Sequence, residues 1–354
     1  MSSVSVFAQS SERRIESEGE LAVLLCRTHE GEQARDLLLR SNPKLINTQL
    51  WSALTYRAAA DYYERSPAQA LATYDVALEI AMRLKSPRLL ALTYYNIGRT
   101  YSGMNQPSKA IGAYEKSREA FEQAGLKRDL TYILADLGLL YFIQEDYERA
   151  ARYSEESITL ANDTHDQVPA GIWPDQFGKA TALATLADLN LREGDYDKAI
   201  ARLRESLSIY HELNRGGSEY NIYIAGGLQA FGRVYTSSGD YAQALLFLNE
   251  ALVIVRKLAD ATATANLLNS IGVLYLEQED FSQARKAFEK SLLIYLSNND
   301  QREAARVLLN LGVIEQRQSN HDKALEHFRL SLEKAKLTQS HDVRLRQPKG
   351  SELS

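Results

Sequence analysis

The stretch Ile271-Gly272-Val273-Leu274-Tyr275, followed by Glu279-Asp280-Phe281 and then Ala284, decides the fold. It sets a small residue inside an apolar run, an aromatic three residues on, an acidic turn, and a second small residue 12 positions after the first. The Gly within an apolar run recurs at Tyr95-Asn96-Ile97-Gly98-Arg99-Thr100-Tyr101, Leu137-Gly138-Leu139-Leu140-Tyr141, Phe231-Gly232-Arg233-Val234-Tyr235 and Leu311-Gly312-Val313-Ile314-Glu315, with the aromatic three residues on in all but the last. In each case an alanine follows the Gly after 12 residues: Ala110, Ala150, Ala244, Ala284 or Ala324. Two further units deviate once each. Ala187 replaces the Gly before Ala199, and Ala59 lies 11 residues before Ala70.

The alanine markers at 70, 110, 150, 199, 244, 284 and 324 are spaced by 40, 40, 49, 45, 40 and 40 residues. A fixed period of this size is the signature of stacked repeats, and insertions fall in the loops between them. Here the additions lie near 162–174 and 214–220. Within one unit, Tyr94, Ile97, Gly98 and Tyr101 make an i, i+3, i+4, i+7 stripe, and Ala110, Tyr114 and Ser117 continue it on a second helix. The facing small residues let two antiparallel helices approach closely. Asp146, Asp195, Asp240, Asp280 and Asn320 stand where the second helix needs an N-cap acceptor. In two units Ser66-Pro67 and Gln106-Pro107 take that place, with Pro where its missing N–H is harmless. Pro43, Pro87, Pro169, Pro174 and Pro348 also lie outside helix interiors. The expected fold is all-α, a solenoid of stacked antiparallel helix pairs with almost no strand.

This order of small residues, aromatics and turn resembles the tetratricopeptide repeat. The resemblance covers 49–336, seven units, with a degenerate pair over 19–48 marked by Ala34. A tail at 1–18 and a polar tail at 337–354 flank the array. The period of 40 is longer than the commoner 34-residue form, and the proline that closes each second helix in the family is missing. The variety is similar to repeats of kinesin light chains, of bacterial peptide-sensing regulators and of arms fused to bacterial CHAT-type peptidases. Glu32-Gln33-Ala34-Arg35-Asp36-Leu37-Leu38-Leu39, with Asn42-Pro43 after it, carries the last likeness. The resemblance implies a right-handed superhelix that binds a protein segment in a concave groove.

The chain has 354 residues, with 41 Lys plus Arg against 46 Asp plus Glu and a net charge of -5. Mixed, mildly acidic charge argues against a dedicated nucleic-acid binder. One cysteine, Cys26, excludes an internal disulfide, and its apolar setting suits a buried side chain rather than a nucleophile. No apolar run reaches the length of a membrane span. The expected location is cytoplasmic; an exported protein is the alternative if Val6-Phe7-Ala8 is the remnant of a signal peptide. Phosphate-loop, nucleophile-elbow, zinc-protease and dinucleotide motifs are all missing, and His321 and His327 are wrongly spaced to share a metal. The reading is therefore not an enzyme, with no cofactor and no metal.

Counting the marker Gly as position 8, the first helix of each unit turns positions 2, 5, 6, 9, 12 and 13 toward the groove. The candidates are Asn96, Arg99, Asp136, Asp188, Arg192, Gln229, Arg233, Asn266, Asn269, Arg306, Asn310 and Arg317. An Asn amide both donates and accepts, which suits the backbone of an extended peptide; Arg suits acidic groups. Asn96, Asn269 and Asn310 match positions where family members that clamp peptides place Asn. Trp173, on the longest insertion, is a further contact candidate or simply packs on its neighbouring helix. The leading expectation is a scaffold that binds a peptide or protein segment. The alternative is a regulatory or sensor subunit of a separately encoded peptidase or signalling enzyme. The last repeat is open to docking another protein or a second copy.

Overall fold

The computed structural model describes residues 15–27, 32–63, 66–164, 175–215 and 217–346; the segment 1–14, Trp173 with the 165–174 insertion, and 347–354 lie outside them. Two short helices, α1 (Glu18–Cys26) and α2 (Glu32–Ser41), precede seven pairs. The pairs are α3 (Thr48–Tyr63) with α4 (Pro67–Arg83), α5 (Pro87–Gly103) with α6 (Pro107–Gln123), and α7 (Lys127–Ile143) with α8 (Tyr147–Thr164). Then come α9 (Asp175–Glu193) with α10 (Tyr196–Leu213), α11 (Asn221–Ser237) with α12 (Tyr241–Lys257), α13 (Ala261–Glu277) with α14 (Phe281–Ser297), and α15 (Gln301–Arg317) with α16 (His321–Arg346). No strand occurs among the described residues, and no helix there is long and apolar enough to cross a membrane. The chain divides into two compact units, Met1–Thr185 and Leu186–Ser354.

In each pair a small residue faces the side chain 16 positions later, aromatic or aliphatic at Gly98, Gly232, Gly272 and Gly312 and Ser154 at Gly138. A Cβ added at Gly98 would lie 2.6 Å from the Tyr114 ring, and one at Gly272 would lie 2.5 Å from the Phe288 ring. Such contacts are impossible without moving a buried ring, so glycine is required there. Phe288 is fully buried, worth roughly 2–3 kcal/mol of transfer free energy. Ala187, almost completely buried, fills the same role in its pair. The first pair differs from the sequence reading. Ala58, not Ala59, is the buried residue in the core with Ala70 and Tyr74, so the spacing there is also 12 and the register does not slip.

A second recurrent tie runs between the helices of a pair. Ser117 donates to the Ala91 carbonyl at 2.7 Å, Ser157 to Thr131 at 2.7 Å, Ser291 to Ala265 at 2.8 Å and Ser331 to Ala305 at 2.7 Å. The two N-terminal helices join the first pair through Leu21, Leu25, Leu39, Leu50, Leu54 and Ile80. Cys26 is partly buried against Thr73, and burial pushes its thiol up, away from the reactive thiolate.

The turns are short because one residue does two tasks. After α13, the Asp280 N–H bonds to the Tyr275 carbonyl at 2.9 Å, closing that helix, while the Asp280 side chain accepts the Gln283 N–H at 3.0 Å, opening the next. Glu279 between them takes φ of 59°, and seven non-glycine residues occupy this left-handed position in the described turns. Asp146, Asp195 and Asp240 cap as expected. Asp260 and Asp300 do the same for first helices. Asn320 instead donates to Glu315, which stands where four other units have Tyr.

Glu315 is buried and ion-paired to Arg285 at 2.6 Å. Burial alone would raise its pKa, but hydrogen bonds from Asn320 and Arg285 outweigh it and hold the carboxyl below the usual glutamate range. A depressed folded-state pKa contributes stability above the unfolded value, lost as pH falls through the folded one. Urea denaturation of unit 2 should therefore show a loss of stability below about pH 4.5 that Glu315→Gln removes, with the variant weaker near neutral pH. A separate pair of substitutions tests the close approach. Gly272→Ala should lower the stability of unit 2 by about 1–3 kcal/mol. Gly226→Ala, with nothing within 4 Å, should raise it by about 0.5–1 kcal/mol, read from denaturation midpoints.

Candidate functional site

On the first helices of unit 2 several candidates pair from helix to helix. Arg233 on α11 meets Asp188 on α9 at 2.5 Å. Gln229 on α11 donates to Ser270 Oγ at 2.8 Å and to the Asn266 carbonyl at 3.4 Å, both on α13. Asn310 on α15 donates to Asn269 Oδ1 at 3.1 Å. Arg317 reaches back to the Leu276 carbonyl at 3.2 Å and toward Glu277. These contacts join residues 37 to 45 apart, one repeat along, so they act as rungs between successive first helices.

Burial sorts the candidates further. Asn269 is only 6% exposed, so it is a structural rung more than a free hand. Asn266 is partly buried and accepts the Tyr295 hydroxyl, whose own pKa burial pushes up to about 12. Arg192 is exposed. Arg306 is exposed too, and is steadied by Glu303 at 2.5 Å.

Three of the candidates, Arg233, Asn269 and Arg306, converge on a cavity of about 270 Å³ in unit 2. Leu191, Leu248 and Val273 give it apolar walls, and Thr236, Ser237 and Ser270 add hydroxyls. The lining contains two guanidinium groups and no carboxylate. Asp188 and Glu303 each hold one of these arginines by ion pairing, and a guanidinium has five N–H donors, so one pairing leaves others to point at a ligand.

In unit 1 the candidates Asn96, Arg99 and Asp136 come from α5 and α7. Asn96 is partly buried; Arg99 is exposed with its guanidinium over the Tyr95 ring, 5.8 Å from the centroid. Asp136 is partly buried, and burial pushes its carboxyl up to about 6 against the opposing pull of Arg99, Tyr114 and Tyr95. The first helices of unit 1 also expose large side chains absent from the sequence-derived set: Tyr56, 81% exposed, with Leu139 and Ile143. Leu309 is their counterpart in unit 2. The position count contained the signal, since these are positions 6, 9, 13 and 5 of their helices; a search for polar residues alone passed over them. Among the described residues, no three His, Cys, Asp or Glu side chains are grouped to hold a metal ion.

Comparison with known proteins agrees with the helical-repeat fold. A family model described as the tetratricopeptide repeat matches residues 49–123, 223–297 and 263–337, and a second model of the same description matches 132–164. No curated protein sequence matches the chain. Among solved structures, aspartyl phosphate phosphatase F from Bacillus subtilis is similar at 14% identity and a TM-score of 0.65, covering 92% of this chain and 79% of that one. The apo form of the quorum sensor NprR from B. thuringiensis is similar at 14% identity and a TM-score of 0.64, covering 94% and 92%. A plasmid-borne Rap conjugation gene regulator in complex with the Phr* peptide shares 13% identity and a TM-score of 0.63, covering 96% and 100%. At these identities the likeness is one of fold.

The rungs predict a contrast between two asparagines at similar register. Asn269→Ala leaves the Asn310 amide without its acceptor and should destabilise unit 2 by about 1 kcal/mol. Asn96→Ala should stay within about 0.5 kcal/mol of the parent in the same thermal or urea unfolding measurement.

Proposed function

Because the chain belongs to the tetratricopeptide repeat family, we propose that it is a non-catalytic interaction scaffold holding an extended peptide or protein segment against its first helices. The observation that carries this reading is the unit 2 cavity, where Arg233 and Arg306 offer guanidinium donors between apolar walls and no carboxylate competes from the lining. An acidic group of the bound segment enters between the two arginines. Hydroxyls and amides on the rim, Ser270 and Thr236 among them, take backbone groups. In unit 1 the exposed Tyr56, Leu139 and Ile143 supply apolar contact beside Asn96 and Arg99. A net charge of -5 disfavours nucleic acid as the occupant.

A second reading, a regulatory or sensor subunit of a separately encoded peptidase or signalling enzyme, draws on the similar structures. They include a quorum sensor and a gene regulator with a peptide bound. Exposed Leu325, Leu332 and Leu337 on α16 support docking of the last repeat on another protein or a second copy.

Affinity capture from source cells with mass spectrometry separates these readings. The parent chain should retain a specific partner that the Arg233→Gln/Arg306→Gln double variant loses by more than tenfold, while both give the same helical melting curve. Undiminished capture by the double variant would sink the cavity as the binding site. A retained partner that is an enzyme, with activity altered by adding the chain, selects the regulatory reading.

A further inference from the structure

The unit 2 cavity gathers more hydrogen-bond donors than a carboxylate can use. Arg233 and Ser237 come to it from α11, Asn269 from α13 and Arg306 from α15, three successive first helices. Asn269 is 6% exposed, and its rung uses only its oxygen, which accepts the Asn310 amide. The Asn269 N–H groups have no acceptor among the described residues, so this nearly buried donor faces the cavity that the residue lines. The Ser237 hydroxyl, exposed at the end of α11, is also without a partner among the described residues. Arg233 gives one nitrogen to Asp188. Arg306 is held by Glu303, and the Tyr295 hydroxyl draws on it as well. A guanidinium has three nitrogens, so each arginine keeps at least one for a ligand. Two other hydroxyls of the lining are already engaged as donors. Thr236 donates to the Gly232 carbonyl at 2.7 Å and Ser270 to the Asn266 carbonyl at 3.2 Å, which leaves them as acceptors.

A carboxylate presents two oxygens with about four lone pairs. One N–H from each arginine, both from the Asn269 amide and the Ser237 O–H already exceed that number. They also arrive from three helices rather than in the plane of one guanidinium. A phosphoryl group offers three strong acceptor oxygens in a tetrahedral arrangement and a charge approaching two near neutral pH. In the same cavity of about 270 Å³, Leu191, Leu248 and Val273 supply apolar surface for a carbon stem.

From this arrangement we propose that the unit 2 cavity receives a phosphorylated side chain of the bound segment. The phosphoryl oxygens sit among Arg233, Ser237, Asn269 and Arg306, and the stem lies against the apolar walls. Asp188 and Glu303, outside the lining, steady the two arginines without competing for them inside it. This rests on the reading that a segment occupies the cavity, and it specifies the acidic group that the segment inserts.

The test titrates the nitrogen-labelled full chain with phenyl phosphate, benzoate and inorganic phosphate, reading the Arg and Asn side-chain N–H signals. Phenyl phosphate and benzoate share a ring and differ in the acidic group, whereas inorganic phosphate lacks the stem. At about pH 7.5 phenyl phosphate should bind about tenfold more tightly than either, the scale of one further charge-assisted hydrogen bond. Asn269→Asp keeps the oxygen that accepts from Asn310 but exchanges the donor for a negative charge, so phenyl phosphate binding should be lost. Ser237→Ala, at an exposed position that leaves packing untouched, should weaken phenyl phosphate about fivefold and leave benzoate unchanged. Benzoate bound as tightly as phenyl phosphate, with both lost in the Arg233→Gln/Arg306→Gln variant, overturns the phosphoryl assignment and keeps the cavity as a carboxylate site. Inorganic phosphate bound as tightly as phenyl phosphate assigns the site to the free ion and overturns the proposal too. No response to phenyl phosphate also overturns it, and undiminished partner capture by the double variant then strikes the cavity reading as well.

Discussion

The close approach of two helices at a residue too small to keep them apart is the constraint on which the structure depends. A side chain at Gly98 or Gly272 would collide with the ring of Tyr114 or Phe288, so these rings lie directly on glycine backbone. That contact sets the distance between the helices of a pair. The distance in turn lets Ser117, Ser157, Ser291 and Ser331 reach a carbonyl on the partner helix, and it exposes the next pair to a uniform stacking surface. Pairs built alike then bring their first helices side by side, and the rungs between those helices follow.

The repeat was readable because its cause is local. Gly, aromatic, acidic turn and Ala lie within 16 residues, and each acts through contacts inside one pair. The first pair shows the limit of that reading. Ala58, Ala59 and Ala60 are chemically alike, so only burial against Ala70 and Tyr74 shows that Ala58 is the packing residue. The candidate site was readable as a set of positions but not as a set of partners. Whether Asn269 points at a ligand or at Asn310 depends on the register of two helices 41 residues apart, which no periodicity within either helix encodes. The same applies to Arg233 with Asp188 and to Gln229 with Ser270.

Those rungs give the binding face its character. Most polar groups on it already have a partner in the protein, so a ligand competes mainly where a group with several donors is held from one side. Arg233 and Arg306 meet that description, each ion-paired to a carboxylate and each lining the cavity. Pairing also reduces the conformational freedom such long side chains lose on binding, which favours affinity without new contacts.

The turns carry one more consequence. At Glu279-Asp280 the backbone N–H groups close the helix before, and the Asp280 carboxylate opens the helix after, with no bond borrowed from a neighbouring repeat. Forty residues cut between two such turns form a cassette whose ends are chemically complete. Duplication or deletion of a cassette keeps the backbone and capping bonds of every surviving turn and changes only the rungs between first helices, so arrays of this kind can change length by whole genetic modules.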